Sequence, residues 1–326
     1  MRIRDGIVVA LFAVAMALGP TGDPLRAEAP LPHDEPLAEL RIGYQKGGPL
    51  LILKSSGALD RRLGTLGVPV RWAEFPSGPP LLEALNAGAL EIGVAGNAAT
   101  VFAQGAADSP LVYLAVTVPN PHGDAILVPK DSPIRTLADL KGKTIAFTRG
   151  SNAQYFLIRA LEHAHIGLSE VREAGLSPTD ARAAFESGSV AAWVIWDPFY
   201  ADAQLNLGAR VLVDGTGLVD DSVFYVSTRS AAEKHGQILQ IVVEEIENTE
   251  RWMETHPADA AKQLAAATAL PLNIWQTALS RHNYGVKVVD QKTIDSQQSI
   301  ADTFFSLGLL PAKENVASAV WPPAAK

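Results

Sequence analysis

Cysteine is missing altogether from the 326-residue chain. That absence excludes disulfide cross-links, a thiolate nucleophile and any metal site built on thiolates. It also excludes the lipid-modified cysteine that anchors a bacterial lipoprotein, so the mature chain is expected to be soluble and unanchored. Positive charge is the next shortage. Lysine and arginine number 27 against 35 aspartates and glutamates, a formal net charge of −8, and no basic block occurs. Nucleic acid and anionic membrane surfaces are therefore poor partners. A small anion, which responds to the local field of a pocket, stays open.

Long apolar runs are scarce as well. One stands out, Ile7–Leu18, which follows Arg2 and Arg4, stops at Gly19-Pro20 and is succeeded by Ala27-Glu28-Ala29. It is too short to span about 30 Å of hydrocarbon. A basic start, a short apolar stretch and a small-x-small triplet describe a secretory signal over residues 1–29. Pro30, directly after Ala29, leaves the cleavage bond unassigned. Removing this segment takes away Arg2, Arg4 and Arg26 with Asp5, Asp23 and Glu28, so the net charge stays at −8. The expected compartment is the periplasm of a Gram-negative cell.

What remains alternates short strands with helices. The pattern predicts strands at RIGYQ (41–45), VRWAEF (70–75), LEIGVAG (90–96), LVYLAVTV (111–118), AILVPK (125–130), KTIAFT (143–148), AAWVIW (191–196), RVLVDG (210–215) and SVFYVST (222–228). Helical periodicity lies between them and continues almost unbroken from Ser230 to Leu310. PLPHDEPLAE (30–39) is a proline-rich acidic lead-in. Alternation of this kind argues an α/β architecture with mostly parallel sheets.

Glycine and small polar residues gather at four strand-to-helix junctions: Gln45-Lys46-Gly47-Gly48, Phe75-Pro76-Ser77-Gly78, Gly96-Asn97 and Gly150-Ser151-Asn152. Glycine lets the backbone approach a ligand closely. The first N–H groups of a helix have no intrahelical partner and carry the positive end of its dipole. Such ends ringed around a pocket bind an anion without Lys or Arg, and in open α/β sheets they lie where ligands bind. A single Gly-Ser junction is ordinarily just an N-cap; four in one chain point to a site. FTRGSNAQYF (147–156) holds no nucleophile–base pair, phosphate-loop lysine or metal ligand, so binding rather than catalysis is expected there. His163 and His165 fall on different helix faces and make a poor metal site. Asp214 and Asp220-Asp221 sit in turn-like sequence and read as solvated.

RIGYQKGG, EFPSGPPLLEALNAGALEIGVAG, SPIRTLADLKGKTIAFTRGSN, VAAWVIWDPFY and QQSIADTFFSLGLLP resemble the periplasmic substrate-binding proteins of ABC importers in the nitrate/sulfonate/taurine group, in particular the alkanesulfonate type. The likeness runs from about Arg41 to Trp321. It implies a type II periplasmic binding protein, two α/β lobes joined by a two-segment hinge that closes like a venus flytrap. Lobe I would comprise residues 30–121 and 228–326, and lobe II residues 122–227. The implied partners are a small-molecule sulfonate and a membrane permease with its ATPase. A monomer is implied, with no cofactor, no metal and no enzymatic activity.

The resemblance also suggests residues. Gln45 would donate to a sulfonate oxygen, with Ser77, Gly96 and Asn97 facing the cleft from lobe I and Gly150, Ser151 and Asn152 from lobe II. Trp196 would wall the alkyl part while Trp193 enters the core. Asp197 would contact ligand, brace the site or cap the next helix. Arg281 would pair with the sulfonate, cross the closed cleft or sit solvated on its helix. Relatives often read Gly-Asp where this chain has Gly96-Asn97; the neutral amide implies less interest in an amino group on the ligand. Taurine, nitrate, a sulfate ester and a thiamine-pathway pyrimidine remain alternative ligands. A sulfinate desulfinase on the same fold would rely on a catalytic cysteine that this chain lacks.

Overall fold

The structure, a computed structural model, describes residues 36–321, which fall in one compact unit. The expected signal over 1–29 and the start of the lead-in lie outside the described residues. The strands run β1 (Leu40–Gln45), β2 (Val70–Phe75), β3 (Ile92–Gly96), β4 (Leu111–Thr117), β5 (Asp124–Val128), β6 (Thr144–Phe147), β7 (Arg172–Gly175), β8 (Ala192–Trp196), β9 (Arg210–Asp214), β10 (Val223–Thr228) and β11 (Val286–Lys287). They form two sheets, ordered β11-β4-β10-β3-β1-β2 and β7-β6-β8-β5-β9.

Each sheet is the centre of a lobe. The first is covered by helices including Pro49–Ser56, Gly236–Thr255 and Leu272–Leu279, whose Leu53, Val242, Ile246 and Ile274 share a core with Leu40 and Ile42. The second sheet lies between helix Asn152–His163, through Phe156 and Leu157, and helix Pro178–Glu186, through Ala181 and Phe185. Strand β5 is buried along its whole length, as a central strand covered on both faces must be. Fully burying one large aliphatic side chain stabilises the fold by about 1.5–3 kcal/mol, and Leu40, Ile42 and Leu53 are all completely buried.

The sheets are mixed rather than mostly parallel. β1 pairs in parallel with β2 and β3, and β6 with β7 and β8. β10 runs antiparallel to β3 and β4, and β5 antiparallel to β8 and β9. Strands β5 and β10 are the ones that enter a lobe from the other lobe. A chain crossing between sheets arrives without the helical crossover that a parallel neighbour requires.

The crossings themselves are 118–123 and 215–222. Because β10 pairs within the first sheet, the return falls before Val223, earlier than the 227/228 boundary expected from the sequence. VFYVST has the pattern of a strand, and the pattern does not say which sheet receives it. The two crossings are bonded side by side: Asn120 N–H donates to the carbonyls of Asp220 (3.0 Å) and Asp221 (3.2 Å), and Gly215 N–H to that of Pro121 (3.0 Å). A Cβ on Gly215 would sit 2.6 Å from the Pro121 carbonyl oxygen, so only glycine allows this approach.

Candidate functional site

A cavity of about 220 Å³ lies between the two sheets. Three of the predicted junctions deliver residues to it: Gln45–Gly48 ahead of helix Pro49–Ser56, Gly96 ahead of helix Asn97–Gln104, and Ser151-Asn152 at the start of helix Asn152–His163. The fourth contributes Gly78, the first residue of helix Gly78–Asn86. None of the four N-caps, Gly48, Ser77, Gly96 and Ser151, places a side-chain cap on its helix. Ser177, Thr228 and Asp290 do so on helices elsewhere. Helices Pro49–Ser56 and Asn152–His163 therefore present their first turns and the positive ends of their dipoles to the cleft without a side-chain cap. At Asn97–Gln104 the Asn97 N–H donates to the Ser222 carbonyl and the Ala98 N–H to side-chain oxygens, and at Gly78–Asn86 the second and third residues are prolines without an N–H. Trp196, Met253 and Trp275 supply apolar wall.

Of the residues singled out in the sequence, Gln45, Gly96, Ser151, Asn152, Trp196 and Asp197 line this cavity. Ser77 is buried one residue outside the lining. Asn97 is buried too, with its Oδ1 accepting from the Ala98 N–H at 2.7 Å and its carbonyl accepting from Gln297, so its side chain serves its own helix. Its amide cannot decide whether a ligand's amino group is welcome. Gly150, at φ 68°, opens instead on a separate groove with Pro79 and Phe102. Arg281 is likewise not in the lining. Trp193 is fully buried in the core.

Two contacts tie the lobes across the cavity. Asn152 of the second lobe accepts from the Ala98 N–H of the first (3.2 Å) and donates through Nδ2 to Asp221. Its amide lies directly over Gly96, where a Cβ would come within 2.0 Å of it. Arg281 makes a bidentate pair with Asp197, through Nε (2.9 Å) and Nη2 (2.8 Å), and its Nη1 donates to Gln204 at 2.8 Å. Its guanidinium also stacks 3.8 Å from the centre of the Tyr200 ring. Asp197 accepts from the Ala201 N–H as well, so it is both cap and brace. Burial pushes the Asp197 carboxyl up, against the pull of Arg281. Gln45 already spends one amide N–H on the Val94 carbonyl at 3.0 Å, which leaves its second for the cavity.

Sequence reasoning missed the acidic lining. Asp221, expected to be solvated, is 8% exposed, adopts φ 49° and lines the cavity beside Asp124, which is 2% exposed. Burial and then the neighbouring Asp221 hold the Asp124 carboxyl well above its usual range; burial raises Asp221 to about 6. Asn152 Nδ2 donates to the Asp221 carboxyl, whereas Asp124 Oδ2 is buried without a hydrogen-bond partner. Glu250 also lines the cavity and is 1% exposed. Its signal was present in the sequence: Val242, Ile246, Glu250 and Met253 recur at helical spacing along Gly236–Thr255, so the acid stands in an apolar stripe.

The comparisons with known proteins agree with this architecture. The family model described as NMT1/THI5 like matches residues 67–260. A relative from Escherichia coli (strain K12), named as an aliphatic sulfonates-binding protein, is 40% identical over 286 residues, 87% of this chain and 89% of that protein. The solved alkanesulfonate-binding protein SsuA from Xanthomonas axonopodis pv. citri, bound to MOPS, superposes with a TM-score of 0.83 at 39% identity, over 87% of this chain and 98% of that one. The periplasmic aliphatic sulphonate binding protein SsuA from Escherichia coli superposes with a TM-score of 0.81 at 38% identity, over 89% and 94%. With this fold, this cleft and this extent of likeness, the chain belongs to the NMT1/THI5-like family, in the group formed by the aliphatic sulfonates-binding proteins.

Proposed function

We propose that the protein is the substrate-binding component of an ABC importer, which captures aliphatic sulfonates between its lobes in the periplasm and delivers them to a membrane permease for sulfur uptake. The observation that carries this reading is the cavity itself, where the uncapped N-termini of helices Pro49–Ser56 and Asn152–His163 face walls of Trp196, Met253 and Trp275. A sulfonate matches both halves: three anionic oxygens for the N–H donors and an alkyl chain for the indoles. In this reading Gln45 and the backbone N–H groups that open the helices at Gly48 and Ser151 hold the head group, with Gly96 leaving room beside them; the Ser151 hydroxyl itself donates to the Thr148 carbonyl at 2.6 Å. Asn152, Asp197 and Arg281 hold the lobes together around it. Ser77, Asn97 and Gly150 support the junctions without touching ligand.

Binding is the whole task here, and no bond is made or broken. A hydrogen bond to a charged group contributes roughly 1.5–3 kcal/mol. Three or four, less the cost of closing the lobes, give about −8 kcal/mol, which corresponds to a micromolar ligand. The protein works as a monomer, exported by the signal over residues 1–29.

A thermal-shift screen of the mature chain tests the class, because a ligand that binds only the native state raises the melting temperature. Alkanesulfonates are expected to raise it, and nitrate, sulfate and thiamine-pathway pyrimidines are not. A shift with nitrate or a pyrimidine and none with any sulfonate would overturn the assignment.

A further inference from the structure

The cavity carries more negative than positive charge. Among the described residues that line it, only Lys46 and His282 can be cationic, against Asp124, Asp197, Asp221 and Glu250. Asp197 is paired with Arg281, and Asp221 accepts from the Asn152 amide. Asp124, whose Oδ2 is buried without a hydrogen-bond partner, is held well above the usual carboxylate range by burial and then by Asp221, which favours its neutral form. Lys46 is exposed. Glu250 lacks a close partner as well: Oε1 is buried and has no hydrogen-bond partner, and Oε2 has only long contacts, at 3.4 Å, with His282 Nε2 and the Gly285 N–H. The hydroxyl of Tyr225, on the same cavity wall, is buried and without a partner too.

A carboxylate oxygen that is buried, unpartnered and turned to a ligand cavity is costly to keep unless something fills it. A plain alkanesulfonate makes the matter worse, since it brings a second negative charge into the same enclosed space. An amine-bearing sulfonate brings its own cation. We propose that Glu250 is the counter-ion for a protonated amine on the ligand, so that this cavity selects zwitterionic aminoalkanesulfonates over plain alkanesulfonates. The proposal rests on the sulfonate reading and names the substrate class within it. It reverses the expectation attached to Asn97, whose side chain does not reach the cavity. The ammonium would sit between Oε1 of Glu250 and the Tyr225 oxygen, against Met253 and Trp275, with the sulfonate at the helix ends.

Calorimetric titration of the mature chain at pH 7 with 3-aminopropane-1-sulfonate and with propane-1-sulfonate decides the matter, because the two differ only in the amine. Wild type is expected to bind the amine at least tenfold more tightly, and Glu250→Gln to lose that ratio. The wild-type ratio stands alone should the variant fail to fold. Equal or tighter binding of propane-1-sulfonate by wild type would overturn the amine subsite while leaving the sulfonate reading intact, as would a ratio unchanged in Glu250→Gln. Binding of neither compound would overturn both.

Discussion

At the scale of single residues, the account turns on Asn152. It reaches across the cleft to the Ala98 N–H and to Asp221. Asn152→Ala is expected to leave the protein folded and to weaken sulfonate binding on the order of tenfold, about 1.4 kcal/mol, measured by calorimetry. Gly96→Ala places a methyl against the Asn152 amide. It should abolish closure while each lobe keeps its fold, read as lost affinity with a melting temperature close to wild type. The Asp124–Asp221 pair gives a pH dependence of definite sign. Asp221 is raised to about 6 by burial, so its contribution to stability is complete below the ordinary carboxylate pKa of about 3.9 and is lost as pH rises through about 6. The ligand-free protein should therefore melt at a lower temperature at pH 7.5 than at pH 5, and Asp221→Asn should flatten that slope. Only part of this site was legible in the sequence. Glycine and small polar residues mark a helix end that faces a ligand, so the four junctions could be read. Asp221 and Glu250 could not be assigned to the cavity, because an acid in a turn or on a helix stripe declares its burial only once its neighbours in space are known.

At the scale of elements, the hinge is a pair of crossings that run side by side. Gly215→Ala would drive a methyl into the Pro121 carbonyl and the Val219 side chain. Overpacking of this kind costs about 1–3 kcal/mol, and the expected readout is a lower denaturation midpoint together with a changed ligand affinity. A midpoint and affinity both equal to wild type would mean that the crossings separate easily. Most strands and helices were legible because their apolar periods of two and 3.6 are strong. The exceptions are β7, Arg172–Gly175, whose REAG carries no apolar alternation and pairs with β6 on one side, and the two-residue β11, Val286–Lys287, which lies on β4 inside the stretch expected to be helical. Strand direction was not legible either. The sense of β5 and β10 follows from the path of the crossing, not from their own residues.

At the scale of the whole molecule, the two lobes meet through the Arg281–Asp197 pair, the Asn152 contacts and the packing of Tyr155 edge-on against Phe304, and ligand binding is a shift between open and closed arrangements. Arg281 and Asp197 side chains are 19% and 14% exposed. Losing the guanidinium leaves a largely buried carboxylate with only its helix cap. Arg281→Ala is expected to favour the open form, seen as a larger radius of gyration in scattering at saturating wild-type ligand concentration and as weaker binding. Calorimetric titration of the mature wild-type protein with a short alkanesulfonate and its amino counterpart, run beside nitrate and a pyrimidine, decides between a sulfonate pocket and any other. One site per chain is expected, about micromolar or tighter for the amino compound, with a negative heat-capacity change from the buried alkyl chain. Saturable binding of nitrate or the pyrimidine, with no heat from either sulfonate, would contradict the sulfonate pocket.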